Sequence, residues 1–148
     1  MRQLSLSFAV LALLFSGCQG NKEGSPEATK KKPAEVIIGE WVVDAETTQK
    51  GWGDKAEQYT RMAVDEMGME IEFREDKTIV LTKNGRGSEA VYETKSNTDN
   101  SLVMEVAPKE KREGGKVITW TVNVLGPNKT SHSSSEAPEM VFIMTRKE

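Results

Sequence analysis

Apolar and polar residues alternate along most of the chain from Val36 onward, which is the pattern of β-strands with one covered face. The clearest example lies at 69–74, where Met69, Ile71 and Phe73 alternate with charged residues. A turn at 75–77 follows and the alternation then resumes, so these two segments predict a β-hairpin. Over the whole chain the pattern predicts seven strands, at 36–44, 69–74, 78–82, 88–95, 101–107, 116–125 and 139–146.

Residues that favour turns separate most of these segments. The stretches 84–87, 97–100 and 113–115 each supply the glycine, asparagine or aspartate that tight turns prefer. Short turns between consecutive strands predict an antiparallel meander, and closing the meander into a barrel removes its exposed edges. We therefore expect a mainly β fold, a small antiparallel up-and-down β-barrel of about seven or eight strands. The polar segment 126–138 is expected to be a surface loop between the last two strands.

One helix is predicted between the first and second strands. Asp54, followed three residues later by Glu57, fits an N-terminal capping box, and Gly68 supplies a stop. An apolar stripe at helical spacing lies between them, formed by Ala56, Tyr59, Met62, Ala63 and Met67. We expect this helix to lie across one end of the barrel.

The first residues of the chain have a different pattern, that of a secretory leader. Arg2 supplies a positive charge, an apolar segment covers 4–15, and the small residues Ser16 and Gly17 follow. The apolar segment is shorter than the ~20 residues that a permanent membrane-spanning helix needs. Cys18, the one cysteine of the chain, comes directly after it.

This arrangement resembles the lipobox of bacterial lipoproteins, although Phe15 stands where that family usually has an aliphatic residue. The resemblance implies that the Cys18 thiol carries diacylglycerol and that cleavage makes Cys18 the first residue of the mature chain. It further implies export and a lipid anchor in the bacterial membrane, with Gln19 favouring the outer membrane where two membranes exist. The alternatives are an ordinary leader, in which Cys18 is incidental, and an uncleaved anchor helix.

The segment after Cys18 predicts a tether. Residues 19–35 are polar, contain proline and glycine, and have no large apolar side chain whose burial would offset the entropy of ordering. Three lysines at 30–32 are either solvated or add about 1 kcal/mol each on an anionic lipid surface. We expect a signal peptide at 1–17, the lipidated cysteine and flexible tether at 18–35, and the barrel domain at 36–148.

A second resemblance is carried by the two ends of the predicted barrel. Gly39 and Trp41 form a G-x-W motif in the first strand, and the last strand ends at Arg146. These features resemble the lipocalin (calycin) superfamily, in which such a tryptophan packs under a basic residue and closes the barrel. The chain is shorter than a typical lipocalin, and the family's T-D-Y motif is only echoed at 98–100. A barrel or sandwich of other ancestry is the alternative.

Composition argues against several classes of function. The net charge of −3 gives no general attraction to nucleic acid. One cysteine and one histidine exclude zinc sites built from several thiolates and imidazoles, and neither a calcium-loop nor a phosphate-binding glycine motif is present. His132 has serine neighbours, but neighbours in a loop do not make an oriented nucleophile and base. We expect no metal, no cofactor and no enzymatic activity.

The remaining function is binding. Four aromatic residues of the predicted interior are candidate ligand contacts, Phe73, Tyr92, Trp120 and Phe142, and a barrel of this size either fills itself or holds one small ligand. The first hypothesis is an envelope lipoprotein that binds a small hydrophobic or amphipathic molecule. The alternative is a protein-interaction or inhibitor module with a filled barrel, which displays 126–138 and an exposed Trp52 as an anchor. The sequence points to no particular protein partner.

Overall fold

The structure, a computed structural model, describes residues 31–110 and 115–148, so the predicted signal peptide, Cys18 and most of the predicted tether lie outside it. It contains eight strands: β1 (Gly39–Val43), β2 (Glu70–Phe73), β3 (Thr78–Lys83), β4 (Arg86–Asn97), β5 (Ser101–Pro108), β6 (Ile118–Gly126), β7 (Lys129–Ser134) and β8 (Ala137–Arg146). Each strand pairs antiparallel with the next, and β8 pairs with β1 to close the barrel. This confirms the predicted mainly β, up-and-down barrel.

The prediction of a surface loop at 126–138 is wrong, because strand β7 (Lys129–Ser134) runs through the middle of that segment and only short turns flank it. It pairs with β6 on one side and with β8 on the other, so that His132 lies opposite Val122 and Phe142. The side chains of Thr130 and His132 are buried. Backbone pairing to two neighbouring strands stabilises β7. Because the covered positions of β7 are polar, its sequence shows no hydrophobic alternation.

The predicted helix is present between β1 and β2, but its boundaries differ. It consists of α2 (Ala45–Trp52), a 3₁₀ turn (Gly53–Lys55) and α3 (Ala56–Met62). The N-terminal cap is Asp44, whose Oδ1 accepts a hydrogen bond from the Thr47 amide at 3.0 Å. The predicted capping box is wrong, since no side chain caps α3. Helix α3 ends before Gly68, and Met62 is 64% exposed rather than part of a buried stripe.

Helix α2 packs against strand β8 beyond the point where β1 ends. The Thr48 hydroxyl accepts a hydrogen bond from the Ile143 amide at 2.9 Å and lies 3.3 Å from the carbonyl oxygen of the same residue. The Trp52 indole donates to the Val141 carbonyl at 3.0 Å. These side chains thus satisfy backbone groups that would otherwise form an open strand edge. Within the described residues, no helix has the length and apolar character needed to cross a membrane.

The two ends of the barrel differ. At one end lie the turns 74–77, 98–100 and 127–128, and a short helix α1 (Pro33–Val36) precedes β1 there. Its Ala34 amide donates to Asn97 Oδ1 at 3.4 Å, and Pro33 is buried, so packing against the barrel begins at residue 33. We call this the closed end. The opposite end, where α3 meets the hairpins of β3–β4 and β7–β8, is called the open end.

Inward-facing side chains form one continuous core through the barrel. Its largest fully buried members are Trp41, Phe73, Ile37, Ile71 and Ile79. A smaller cluster lies under the helices, formed by Trp52, Tyr59, Ala63 and Met140. The barrel is therefore filled along most of its length, and the unfilled space is confined to the open end.

Candidate functional site

The closed end is held together by a tryptophan and an arginine. The guanidinium carbon of Arg146 lies 4.5 Å from the ring centroid of Trp41, within the range of a cation–π contact. The guanidinium also donates hydrogen bonds to the carbonyl oxygens of Val36 and Ile38. The Trp41 indole donates to the Ile37 carbonyl at 2.7 Å. These contacts link the residues before β1 to the last strand.

Gly39 makes this arrangement possible. Its φ of +123° is a conformation that residues with a side chain rarely adopt. A Cβ atom at this position would lie 2.6 Å from Nη1 of Arg146. Gly39, Trp41 and Arg146 therefore act together as a structural closure, and none of them lies near the open end.

A pocket of about 330 Å³ occupies the open end and is called the open-end pocket below. Its walls come from the end of α3, the open halves of β2, β3, β6, β7 and β8, and the β7–β8 turn. Most of the wall is apolar, including Met69, Ile71, Leu81, Ile118, Trp120 and Phe142. A second concavity continues from Leu81 and Trp120 along β4 and β5. The volume suits one small molecule.

The four predicted ligand contacts divide into two pairs. Trp120 and Phe142 line the open-end pocket. Phe73 and Tyr92 do not line it, because they lie deeper in the core, with their ring centroids 6.2 Å apart in an edge-to-face contact. The sequence could place all four side chains inside the barrel, but it could not show how far along the barrel axis each one lies.

The ring of His132 lies between these two pairs. The sequence did not predict His132 as a site residue. It lies in the wall of the pocket and is 7% exposed. Its ring centroid lies 6.0 Å from that of Phe73 and 6.5 Å from that of Trp120. Nε2 makes a 2.9 Å hydrogen bond with the hydroxyl of Thr130. An imidazole is thus set among aromatic rings with a single polar side-chain contact.

The second ring nitrogen of His132 has no hydrogen-bond partner. Among the described residues, its Nδ1 is the one buried side-chain nitrogen or oxygen in that position. Burial lowers the pKa of His132 from 6.5 to about 3, so the ring is neutral at physiological pH. The site therefore has one uncharged, unsatisfied hydrogen-bonding atom in a side chain of its mostly apolar wall.

The charged residues at the rim of the pocket are paired with each other. The Lys83 ammonium forms a salt bridge with Glu66, and both residues line the pocket. Glu136, also at the rim, pairs with Lys116 at 2.6 Å. Lys83 is the one cationic side chain among the described lining residues, so the wall presents no unpaired positive charge to an anion.

The residues proposed to anchor a protein partner are not available for that role. Trp52 was expected to be exposed, but it is 7% exposed and makes edge-to-face contacts with Tyr59 and Phe142, at centroid distances of 5.6 and 5.5 Å. Its indole packs against β8. The other expected anchor, the segment 126–138, contributes six residues to strand β7 and three more to the ends of β6 and β8.

The described residues contain no group of three or more histidine, cysteine, aspartate or glutamate side chains arranged to hold a metal ion. Comparison with known proteins found no family model and no curated protein that matches the chain. The open-end pocket and the buried imidazole of His132 are therefore the candidate functional site.

Proposed function

We propose that this protein is a membrane-anchored envelope lipoprotein with a lipocalin-like barrel, which binds a small hydrophobic or amphipathic molecule and catalyses no reaction. The observation that carries the proposal is the open-end pocket of about 330 Å³ beside the packed core of the barrel. Small-molecule sites typically have volumes of ~300–1,000 Å³ and apolar walls with a few polar groups. The pocket has both properties, with Trp120 and Phe142 in the wall and His132 as a polar group.

The geometry of the closed end supports the lipocalin-like part of the proposal. An eight-stranded up-and-down barrel, with the Trp41 indole under the Arg146 guanidinium, is the arrangement that the resemblance implies. Helix α1 lies at the closed end, and the opposite end contains the pocket. One closed and one accessible end suit a protein that admits a ligand from a single direction.

The lipoprotein part rests on the leader and on Cys18. The chain between Cys18 and Pro33, residues 19–32, spans at most about 50 Å when fully extended. It joins the barrel at the closed end, beside α1. A lipid-anchored barrel would thus remain near the membrane surface, with the open-end pocket at the end farther from the attachment point.

The properties of His132 support binding rather than catalysis. A general base works best when its pKa lies near the operating pH. Burial holds the pKa of His132 at about 3, which leaves a weakly basic ring at neutral pH. Its hydrogen-bond partner is Thr130, and among residues 31–110 and 115–148 no carboxylate accompanies the pair to orient the ring.

The test is a binding titration of the full-length protein with N-phenyl-1-naphthylamine, a neutral fluorescent probe of apolar sites. We expect saturable binding to one site, with quenching of tryptophan fluorescence. Ile118→Arg places a charge in the wall of the pocket and should abolish binding, whereas Val117→Arg, at the exposed neighbouring position, should leave it intact. Equal probe binding by the two variants would show that the pocket is not the site, and no saturable binding by the unmodified protein would disprove the proposal.

A further inference from the structure

One side chain in the wall of the open-end pocket, His132, carries a buried ring nitrogen without a hydrogen-bond partner, and this nitrogen restricts the chemistry of the ligand. Buried polar atoms in folded proteins almost always have a hydrogen-bond partner, because leaving one unsatisfied costs free energy. Nδ1 of His132 is an exception, and it belongs to a side chain in the wall of the pocket. A ligand that supplies the missing partner would remove this cost when it binds.

Both tautomers of the ring accommodate the same type of ligand group. When Nε2 donates to the Thr130 hydroxyl, Nδ1 is an acceptor; when Nε2 accepts from that hydroxyl, Nδ1 carries the proton and is a donor. A hydroxyl group is both donor and acceptor, so it can pair with Nδ1 in either case. An ether or a ketone pairs with only one of the two tautomers.

The surroundings of His132 disfavour a charged ligand group next to the imidazole. The ring contacts the aromatic residues Phe73 and Trp120, and it lies opposite Val122 and Phe142 in the sheet. Lys83, the lining cation, is already paired with Glu66 at the rim. A carboxylate brought to the imidazole would lose its hydration without gaining a counter-ion, which is costly in an apolar site.

We propose, on the basis of the proposed function, that the ligand is an uncharged alcohol-type amphiphile whose hydroxyl group enters first and pairs with Nδ1 of His132. Its apolar part then lies along Trp120 and Phe142, towards the rim. Because Nδ1 is buried, a side chain at the base of the pocket must shift when the hydroxyl group arrives. Side-chain adjustments of this kind are common on binding.

The affinity test uses three probes of equal chain length: 1-octanol, octanoate and 1-chlorooctane. They are titrated into the full chain carrying Cys18→Ser, so that no acyl group attached to the protein competes for the pocket. In the His132→Leu variant of this chain, octanol should bind about tenfold more weakly, which is the worth of one hydrogen bond to a buried group. Chlorooctane affinity should change less than about twofold. Octanoate should bind the parent chain at least about tenfold more weakly than octanol.

A second measurement does not depend on the folding of a variant. His132 is the only histidine, so its ring nitrogens can be observed without ambiguity in a ¹⁵N NMR spectrum. Saturation with octanol should shift the Nδ1 resonance, and saturation with chlorooctane should leave it nearly unchanged.

The outcomes separate this inference from the proposed function. Tight octanol binding with an unmoved Nδ1 resonance, or octanoate binding as well as octanol, would overturn the inference while the pocket remained a binding site. If neither octanol nor the naphthylamine probe binds, the proposed function fails, and the inference fails with it.

Discussion

Mild acid should destabilise this protein through the buried, neutral side chain of His132. The pKa of His132 is lowered by burial from 6.5 to about 3, so between these values the unfolded chain binds a proton that the folded protein does not. The free energy of unfolding must therefore fall as the pH decreases through about 6.5. The contribution of the neutral His132 to stability is complete only above that value. At a pH of about 5, the unfolded state gains RT ln(1 + 10^1.5), or about 2 kcal/mol, relative to a pH of about 8.

The assay is urea unfolding of the unmodified protein and of His132→Leu at these two pH values. Hydrogen bonds lower the pKa of Asp44, Glu72 and Asp76, and these carboxylates also contribute to acid sensitivity, but they do so equally in both proteins. We expect the unmodified protein to lose about 2 kcal/mol more than the variant between the two conditions. If both proteins lose the same free energy of unfolding, His132 is not buried in a neutral state, and the account of the pocket is wrong.

Four further substitutions test other parts of the account. Gly39→Ala should lower the free energy of unfolding by at least about 2 kcal/mol, because the added Cβ atom meets Arg146 and the φ of residue 39 is unfavourable. The control is Gly51→Ala in α2, where the new atom has free space, and this substitution should raise the free energy of unfolding by up to about 1 kcal/mol. Thr48→Val should cost about 1–3 kcal/mol in urea unfolding, since it leaves the Ile143 amide unpaired; a cost below about 0.5 kcal/mol would contradict that role. Cys18→Ser should abolish the incorporation of labelled palmitate into the protein in the producing cells, and undiminished incorporation would exclude the lipid anchor at Cys18.

The fold was predictable because apolar residues mark most of the strands. Met69, Ile71 and Phe73 alternate with charged residues and are all buried, so the hairpin of β2 and β3 could be located from the sequence. The first strand was placed too early, because 36–38 are apolar but Val36 belongs to α1. Hydrophobicity indicates that a residue is buried, but it does not show whether the residue lies in a strand or in a short helix.

Strand β7 could not be predicted from hydrophobicity, since its inward positions are Thr130, His132 and Ser134. A topological argument could have found it. In an up-and-down barrel the last strand is antiparallel to the first only when the number of strands is even. Seven predicted strands therefore implied a missing one, and apart from the predicted helical segment 45–68 the longest stretch left between two strands was 126–138.

The site was predictable only in part. Trp120 and Phe142 line the pocket as expected for interior aromatic residues, but the sequence could not separate them from the deeper Phe73 and Tyr92. His132 was not predicted as a site residue because the segment around it was expected to be a surface loop. The burial of a neutral imidazole depends on the pairing of β7 with both of its neighbours, and the sequence pattern does not carry that information.

The central claim is that the open end of the barrel is a binding site and the closed end a structural closure. The most direct test is an NMR titration of backbone amides in the full-length protein with N-phenyl-1-naphthylamine. We expect saturating shifts at residues around the pocket, such as Ile118, Trp120 and Ala137, and no shifts at Trp41 or Arg146. Shifts that never saturate, or that concentrate at the closed end, would contradict the account.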